Sequence, residues 1–258
     1  MSGYRKRLET YFQKNHLERK LVVLLSGGVD SAVVACAAQE VRGRDACALT
    51  LRSEFFSGHD VDCAVTVTEK LGLEHHLVRI RLLDDPGIRA QEKDRCYRCK
   101  RIICATARDA AGEAEILDGT NADDDPDRPG RRALREFDVC SPLAECGLTK
   151  AQTRVIAREY GLPNADRPSN SCLATRLPWG KAIRCEDLAR VARLEEVLRD
   201  QGFTDVRARL DDPLVIVEIP AGSERLLEQA HSTIMRTITG LGLTLVGYTH
   251  RKIGTKSE

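Results

Sequence analysis

No stretch of this sequence is apolar for long enough to cross a bilayer. Nor does an apolar core follow Met1. The chain opens Ser2-Gly3-Tyr4-Arg5-Lys6-Arg7, a charged amphipathic start that predicts no secretory signal, no membrane partner and a cytoplasmic location. An excess of positive charge is also missing. Lys and Arg number 40 against 39 Asp and Glu, a formal net charge of +1, so composition gives no general basic field and no argument for nucleic acid. His59, His75 and His76 lack metal-ligand spacing and read as surface or strand residues. Neither Gly-x-x-x-x-Gly-Lys-Ser/Thr nor Gly-x-Gly-x-x-Gly occurs at the glycine-rich turn described next.

What is present is one well-marked stretch. Leu21-Val22-Val23-Leu24-Leu25 is a short Val- and Leu-rich run, which predicts a buried strand. It enters Ser26-Gly27-Gly28-Val29-Asp30-Ser31, and then Ala32-Val33-Val34-Ala35-Cys36-Ala37-Ala38, which has the composition of a buried helix. Strand, glycine-rich turn and helix together aim backbone N–H groups and a helix N-terminus at an anion. Gly27 and Gly28 let the backbone approach phosphate oxygens, and Ser26 and Ser31 add hydroxyl donors. The pattern Ser-Gly-Gly-x-Asp-Ser resembles the PP-loop of the ATP pyrophosphatases, enzymes that split ATP into AMP and pyrophosphate.

Helix and strand patterns then alternate. A helix is expected over residues 4–19 with Leu8, Tyr11, Phe12 and Leu17 apolar, a strand from Arg44 to Leu51, a helix from Asp60 to Leu71 ended by Gly72, and a strand from His75 to Ile80. This alternation predicts a doubly wound parallel sheet with its ligand at the carboxyl ends of the strands. Ser53 and Phe55 follow the second strand, where an adenine nucleotide would lie, or are simple loop residues. The strand at Ala114–Leu117 runs into Asp118-Gly119-Thr120-Asn121-Ala122-Asp123-Asp124, whose carboxylates and amides suit Mg²⁺ and phosphate chemistry. Asp124, Asp125 and Asp127 individually read as solvated, and Asp127-Arg128-Pro129-Gly130 as a turn. Thr149 is placed to cap a helix that reaches Tyr160 and stops at Gly161-Leu162-Pro163.

Ten cysteines in a reducing compartment do not make a disulfide framework. Cys36 and Cys104 read as core residues. Cys96-Tyr97-Arg98-Cys99 opens a helix, where the dipole favours thiolate. Four readings stand side by side there: a redox pair, half of a zinc site, two ligands of an iron–sulfur cluster completed by a distant cysteine, or two structural cysteines. A zinc site would need a second pair, and Cys140 and Cys146 are widely spaced for one. Cys172 lies in Arg167-Pro168-Ser169-Asn170-Ser171-Cys172-Leu173-Ala174-Thr175-Arg176-Leu177-Pro178-Trp179-Gly180, where the prolines and Gly180 rule out a continuous helix or central strand. Such an irregular segment reads as part of an active site, with Arg176 able to lower the thiol pKa or hold an anion.

Beyond the segment the pattern changes to an amphipathic helix from Cys185 to Gln201, a β-hairpin (Val206–Leu210 and Leu214–Ile219), a helix from Ser223 to Leu241 and a last strand from Leu243 to Tyr248. The boundary falls near residues 177–183, giving a nucleotide domain of residues 1–178 and a small α+β domain of residues 179–258 for substrate binding and oligomerisation. Arg207 and Arg209 share one strand face by period two, and two adjacent guanidinium groups invite an anion such as a substrate phosphate.

These blocks, in this order, resemble the LarE family of ATP-dependent sulfur transferases, which makes the organic part of the nickel-pincer nucleotide cofactor of lactate racemase. The resemblance rests on Ser26–Ser31, the Asp118–Asp124 block, Arg128-Pro129-Gly130, Ser141-Pro142-Leu143 and Cys172-Leu173-Ala174-Thr175-Arg176. It implies that ATP and Mg²⁺ bind at the PP-loop, with Asp30 and Val29 included. A carboxylate of a pyridinium biscarboxylate mononucleotide then attacks the α-phosphorus, pyrophosphate leaves, and sulfur displaces AMP from the acyl-adenylate. Family members are of two kinds, one sacrificing the sulfur of a cysteine at the position of Cys172, the other delivering sulfide from a [4Fe–4S] cluster on three cysteines. Cys96, Cys99 and Cys172 favour the cluster kind here. The resemblance also supports Arg207 and Arg209 as phosphate ligands, associates Glu195 and Glu218 with metal or intersubunit contacts, and implies a trimer-based homo-oligomer; it leaves the sulfide donor open. A tRNA thiolase using the same adenylation chemistry is the runner-up, and a non-catalytic nucleotide-binding module is the third reading.

Overall fold

The computed structural model describes residues 2–15 and 19–251. The chain forms two compact units, one of Met1–Ile88 with Lys93–Ser169, the other of Arg89–Glu92 with Asn170–Glu258.

The first unit runs α1 (Gly3–Asn15), β1 (Leu21–Leu24), α2 (Val29–Arg42), β2 (Ala46–Arg52), α3 (Gly58–Leu71), β3 (Glu74–Arg79), the short α4 (Pro86–Arg89, whose last residue belongs to the other unit), α5 (Arg95–Ala111), β4 (Glu115–Leu117), α6 (Pro129–Glu136), β5 (Val139–Cys140), α7 (Pro142–Glu145) and α8 (Lys150–Glu159). Its five strands pair in parallel in the order β3-β2-β1-β4-β5, with Leu21 opposite Ala46 on one side and Glu115 on the other. That is the expected doubly wound parallel sheet. The strand order reverses between β1 and β4, so the crevice at their carboxyl ends is the place for a ligand.

The apolar residues dictate this arrangement. Val29 and every residue from Ser31 to Ala38 are buried, because α2 packs against β1, β2, α1 and α8. Small side chains allow that close approach on several sides. Leu8 and Phe12 of α1 complete the core, and Leu17, expected to join them, lies outside the described residues. Two helices start on reciprocal caps: Ser57 with Asp60 at α3, and Thr149 with Gln152 at α8.

One expectation needs correction, and one strand was not expected. Pro129 and Gly130 do not form a free turn but open α6, since proline at a first helical position loses no intrahelical bond. The two-residue β5 carries too little pattern to be read from sequence; it is defined by its pairing, Ile116 opposite Val139.

The second unit holds α9 (Cys185–Asp200), β6 (Arg207–Asp211), β7 (Leu214–Pro220), α10 (Glu224–Gly240) and β8 (Thr244–Arg251). β6 and β7 form the expected antiparallel hairpin, and β8 adds in parallel to β7 after the α10 crossover. Leu188, Val191, Leu194 and Leu198 of α9, and Ala230, Ile234 and Ile238 of α10, are buried, as are Ala208, Leu210, Val215, Val217 and Ile219 from the sheet. The segment before α9 is irregular apart from a helical turn over Leu173–Arg176. Gln91 Nε2 donates to the carbonyls of Pro178 (2.8 Å) and Lys181 (2.9 Å), tying that segment to Arg89–Glu92. Among the described residues no helix is long and apolar enough to cross a membrane.

Candidate active site

The chemistry-bearing residues of the first unit gather at the carboxyl ends of β1 and β4. Ser31 Oγ is the hub of the PP-loop: it accepts from the Ser26 N–H (3.2 Å), lies 3.2 Å from Ser26 Oγ, and donates to the Gly28 carbonyl (3.2 Å). Gly27 has φ +75° and a β-carbon there would overlap the Asp60 carbonyl oxygen, so only glycine closes this turn. Its carbonyl accepts from Asn164 Nδ2 (3.0 Å) and Arg167 Nη1 (2.9 Å), while Arg167 Nη2 also holds Asp60 Oδ1 at 2.6 Å. The loop is therefore fixed from both α3 and the segment after α8, with the N-terminus of α2 left facing the crevice.

Asp30 is one of the buried polar groups that the fold leaves unfinished. Its Oδ2 accepts from Asn121 Nδ2 (3.1 Å) and faces Lys150 Nζ (3.5 Å), whereas its buried Oδ1 has no hydrogen-bond partner. Burial raises its pKa above the ordinary carboxylate value, with Lys150 and Asn121 pulling the other way. An oxygen donor held in this state fits a hard cation such as Mg²⁺. Asp118 differs. Its Oδ1 accepts from Thr120 N (3.0 Å) and Ser141 Oγ (2.8 Å), and its Oδ2 from Thr120 Oγ1 (2.7 Å), with Lys100 Nζ at 3.9 Å. Asp118 thus ties β4 to the chain after β5, and Gly119 lies against the backbone of Ser31.

Other expected residues fall nearby in the chain but act locally. Ser53 Oγ accepts from Phe55 N (3.1 Å) and closes the turn after β2, with Phe55 buried beneath it. Asp125 and Asp127 are exposed, whereas Asp124 accepts from Asn121 N (3.1 Å). His75 bridges Thr68 Oγ1 (3.1 Å) and Thr50 Oγ1 (2.8 Å). Cys96 is exposed and Cys99 half-buried on the first turn of α5, while Cys36 and Cys104 are buried as expected. Among the described residues no three His, Cys, Asp or Glu side chains are grouped to hold a metal ion.

Cys172 belongs to the second unit and is half-buried. Beside it in sequence, Arg176 is only 1% exposed. Its Nε donates to Glu195 Oε1 (2.7 Å), its Nη1 to Ser171 O (3.1 Å), Ser171 Oγ (2.8 Å) and Thr175 Oγ1 (3.0 Å), and its Nη2 to Asn170 Oδ1 (2.9 Å) and Glu195 Oε2 (3.3 Å). Glu195, also buried, further accepts from Arg199 Nη2 (2.8 Å) and Ala208 N (3.2 Å). Removing one partner of so buried a pair costs about 3–5 kcal/mol, because the other charge stays uncompensated. Neither group has a free face for a ligand.

Arg207 and Arg209 stand on one face of β6, as period two requires. Arg209 Nε pairs with Glu218 Oε1 (2.9 Å) and its Nη1 donates to Thr175 O (2.6 Å); Arg251 Nη1 takes Glu218 Oε2 (3.1 Å). Burial works to raise Glu218, but Arg209 and Arg251 outweigh it and hold the carboxyl low. Arg207 is buried opposite Glu218. Burial, then Arg251, Arg176 and Arg209, push its pKa down to about 10. A cation under this strain from its neighbours is suited to a multiply charged anion.

Sequence reasoning missed Asn121 and Lys150 on Asp30, Lys100 beside Asp118, and Asn164 and Arg167 on Gly27. Asn121 lies inside a block already singled out, and Lys150 follows the Thr149 cap. Asn164 and Arg167 carried no local signal, because their role depends on a contact across about 140 residues.

Comparison with known proteins now decides the family. An uncharacterised protein of Synechocystis is 38% identical over 208 residues, covering 79% of this chain and 77% of the relative. Pyridinium-3,5-bisthiocarboxylic acid mononucleotide synthase of Lactiplantibacillus plantarum is 32% identical over 207 residues, covering 78% and 75%. The chain belongs to the LarE family. At the family level the chain is a PP-loop, ATP-using adenylating enzyme of the sulfur-transfer type. The NAD synthase family profile matches residues 1–95, the part that contains the PP-loop. A tRNA-specific 2-thiouridylase of Rhizobium johnstonii is 28% identical over 220 residues, but the match spans 66% of this chain and 52% of that protein. The identity to the L. plantarum synthase is the higher of the two, 32% against 28%.

Proposed function

We propose that this protein is an ATP-dependent sulfur transferase that converts the carboxylates of pyridinium-3,5-biscarboxylic acid mononucleotide into thiocarboxylates for the nickel-pincer cofactor. The reading rests on the LarE relationship and on Asp30, whose buried, unpartnered oxygen stands at the mouth of the PP-loop. The loop's N–H groups and the α2 N-terminus receive the phosphates of ATP. Asp30 would hold Mg²⁺, which when bound neutralises charge on the departing pyrophosphate. Lys150 and Lys100 bring positive charge to the same crevice.

A substrate carboxylate oxygen attacks the α-phosphorus, forming the O–P bond as the bond to pyrophosphate breaks. The carboxyl carbon then carries AMP, a better leaving group than oxide. A sulfur nucleophile forms the C–S bond and AMP departs with the electron pair of the C–O bond. Arg207 and Arg209 hold the substrate's phosphate.

Cys172 supplies the sulfur in one version of the last step. It forms a thioester, then loses its α-proton as the Cβ–Sγ bond breaks, leaving dehydroalanine and a thiocarboxylate. The other version places Cys172 with Cys96 and Cys99 on a [4Fe–4S] cluster. Three thiol donors in this chain fit that cluster chemically. Cys96 and Cys99 belong to the first unit and Cys172 to the second, and no step of the reaction is routed through the cluster.

The direct test incubates the protein with ATP, Mg²⁺ and the biscarboxylate mononucleotide, and measures pyrophosphate together with the mass of the nucleotide product. Pyrophosphate release that depends on this substrate, with sulfur replacing oxygen in the product, is the expected result. Release that depends on tRNA would instead support the thiouridylase reading, a family to which the chain is also related at 27–28% identity.

A further inference from the structure

We propose that Arg176 is the positioning residue for the Cys172 thiol, acting through Thr175 and anchored by Glu195. The inference deepens the proposed function and rests on it for the identity of the reaction. Its basis is where the guanidinium's acceptors lie. Asn170 and Ser171 precede Cys172, and Thr175 follows it, so one buried cation grips the segment on both sides of the cysteine.

The last link reaches Cys172 itself. Thr175 Oγ1 donates to the Cys172 carbonyl at 2.8 Å, and the Thr175 N–H donates to the same oxygen at 3.0 Å. Thr175 Oγ1 also accepts from Arg176 Nη1, and lies 3.0 Å from Ser171 Oγ. Glu195 fixes the far end, because it accepts two bonds from Arg176 while also taking Arg199 and the Ala208 N–H. The path from α9 and β6 to the cysteine is thus Glu195, Arg176, Thr175, Cys172. Glu195 takes two of the guanidinium's bonds, and the donors that remain, buried with it, go to the cysteine's own segment.

The planar fork explains the residue type. Arginine presents five N–H groups at fixed angles and can reach acceptors in several directions, whereas a lysine ammonium is a point charge with three donors. Displacing AMP requires sulfur within near-attack distance of the acyl carbon, and a misplacement of about 1 Å costs on the order of 100-fold in rate. Adenylation does not use the thiol. Loosening the segment should therefore separate the two halves of the reaction.

The experiment compares Arg176→Lys and Thr175→Val with wild type in two assays, with Thr175→Ser as the conservative rescue. The first measures pyrophosphate release and thiocarboxylate formation in parallel. Thiocarboxylate formation should fall at least 30-fold in Arg176→Lys and about 10-fold in Thr175→Val, with pyrophosphate release within about twofold of wild type, and Thr175→Ser should restore thiocarboxylate formation. The second follows alkylation by iodoacetamide with peptide mapping, using exposed Cys185 in the same unit as the internal reference. Cys172 should react at least fivefold faster in both disruptive variants relative to Cys185. Thr175→Val keeps the buried charge pair intact, so it decides the matter if Arg176→Lys does not fold. An unchanged Cys172 rate, or parallel loss of both half-reactions, overturns the assignment. Failure of wild type to release pyrophosphate with the mononucleotide would defeat the proposed function instead, and the alkylation ratio would still judge the positioning role.

Discussion

A β-carbon at Gly119 would lie 2.5 Å from the backbone nitrogen of Ser31. The loop after β4 therefore packs directly on the first turn of α2, and this contact sets the width of the phosphate-binding crevice. Gly119→Ala must push the two backbones apart, since neither neighbour is a flexible side-chain end. The expected cost is about 1–3 kcal/mol of stability, as for other overpacked sites, with at least tenfold weaker ATP binding by calorimetry. Gly58, which has open space where its β-carbon would be, is the control: Gly58→Ala should leave ATP binding unchanged. Normal ATP affinity in Gly119→Ala would mean that the crevice does not depend on this contact.

Asp30 makes a prediction of opposite signs for stability and activity. Burial raises its folded pKa, so the folded chain binds this proton more readily than the unfolded chain does. Stability from this group is thus greatest in acid and declines as pH rises from the unfolded carboxylate value through the folded one. Above that range and without ATP the ionised carboxylate is a cost, and Asp30→Asn should raise the melting temperature there while removing most pyrophosphate release. The same variant should flatten the acid-side dependence of stability on pH. A lower melting temperature would show that the bonds from Asn121 and Lys150 outweigh the burial.

The positions most legible in the sequence were those whose chemistry and local pattern coincide. Ser26-Gly27-Gly28-Val29-Asp30-Ser31 joins a strand to a buried helix, and the structure puts the turn at the reversal of strand order. Ser57 was not foreseen as a cap, although its partner Asp60 sits three residues on, because the helix was expected to begin at Asp60 itself. Arg176 reads from sequence as a group that lowers the thiol pKa or holds an anion, and only the folded chain brings Glu195 to it across 19 residues. Asn164 and Arg167 follow the same rule. Their carbonyl target, Gly27, is distant in sequence, and no local periodicity encodes such a bond.

The arginine face of the second unit predicts anion-dependent stability. Arg207 keeps its charge at neutral pH against burial and three nearby arginines, with its pKa down to about 10. Inorganic phosphate should relieve that repulsion and raise the melting temperature of wild type by a few degrees in a buffer of fixed ionic strength. The rise should at least halve in Arg207→Met. Because a lowered arginine pKa disfavours the folded state only while the group is charged, the benefit of phosphate should fade as pH climbs through about 10. A rise of equal size in both proteins would place the anion elsewhere.

The source of sulfur divides the cysteines into testable sets. Cys172→Ala should keep substrate-dependent pyrophosphate release within about threefold, since adenylation needs no thiol, and should lose thiocarboxylate formation altogether under either version of the last step. The pair on α5 separates the versions. If Cys172 is the donor, a Cys96→Ala, Cys99→Ala double variant retains one round of sulfur transfer per chain, and Cys172 becomes dehydroalanine with the mass loss of one H₂S. If a cluster delivers sulfide, protein reconstituted without oxygen carries about four iron and four acid-labile sulfide per chain, and the double variant loses both the iron and the turnover. Exposed Cys96 and half-buried Cys99 are accessible enough for either outcome, so the iron content of the reconstituted double variant, set against the mass of its Cys172 peptide after one turnover, assigns the donor.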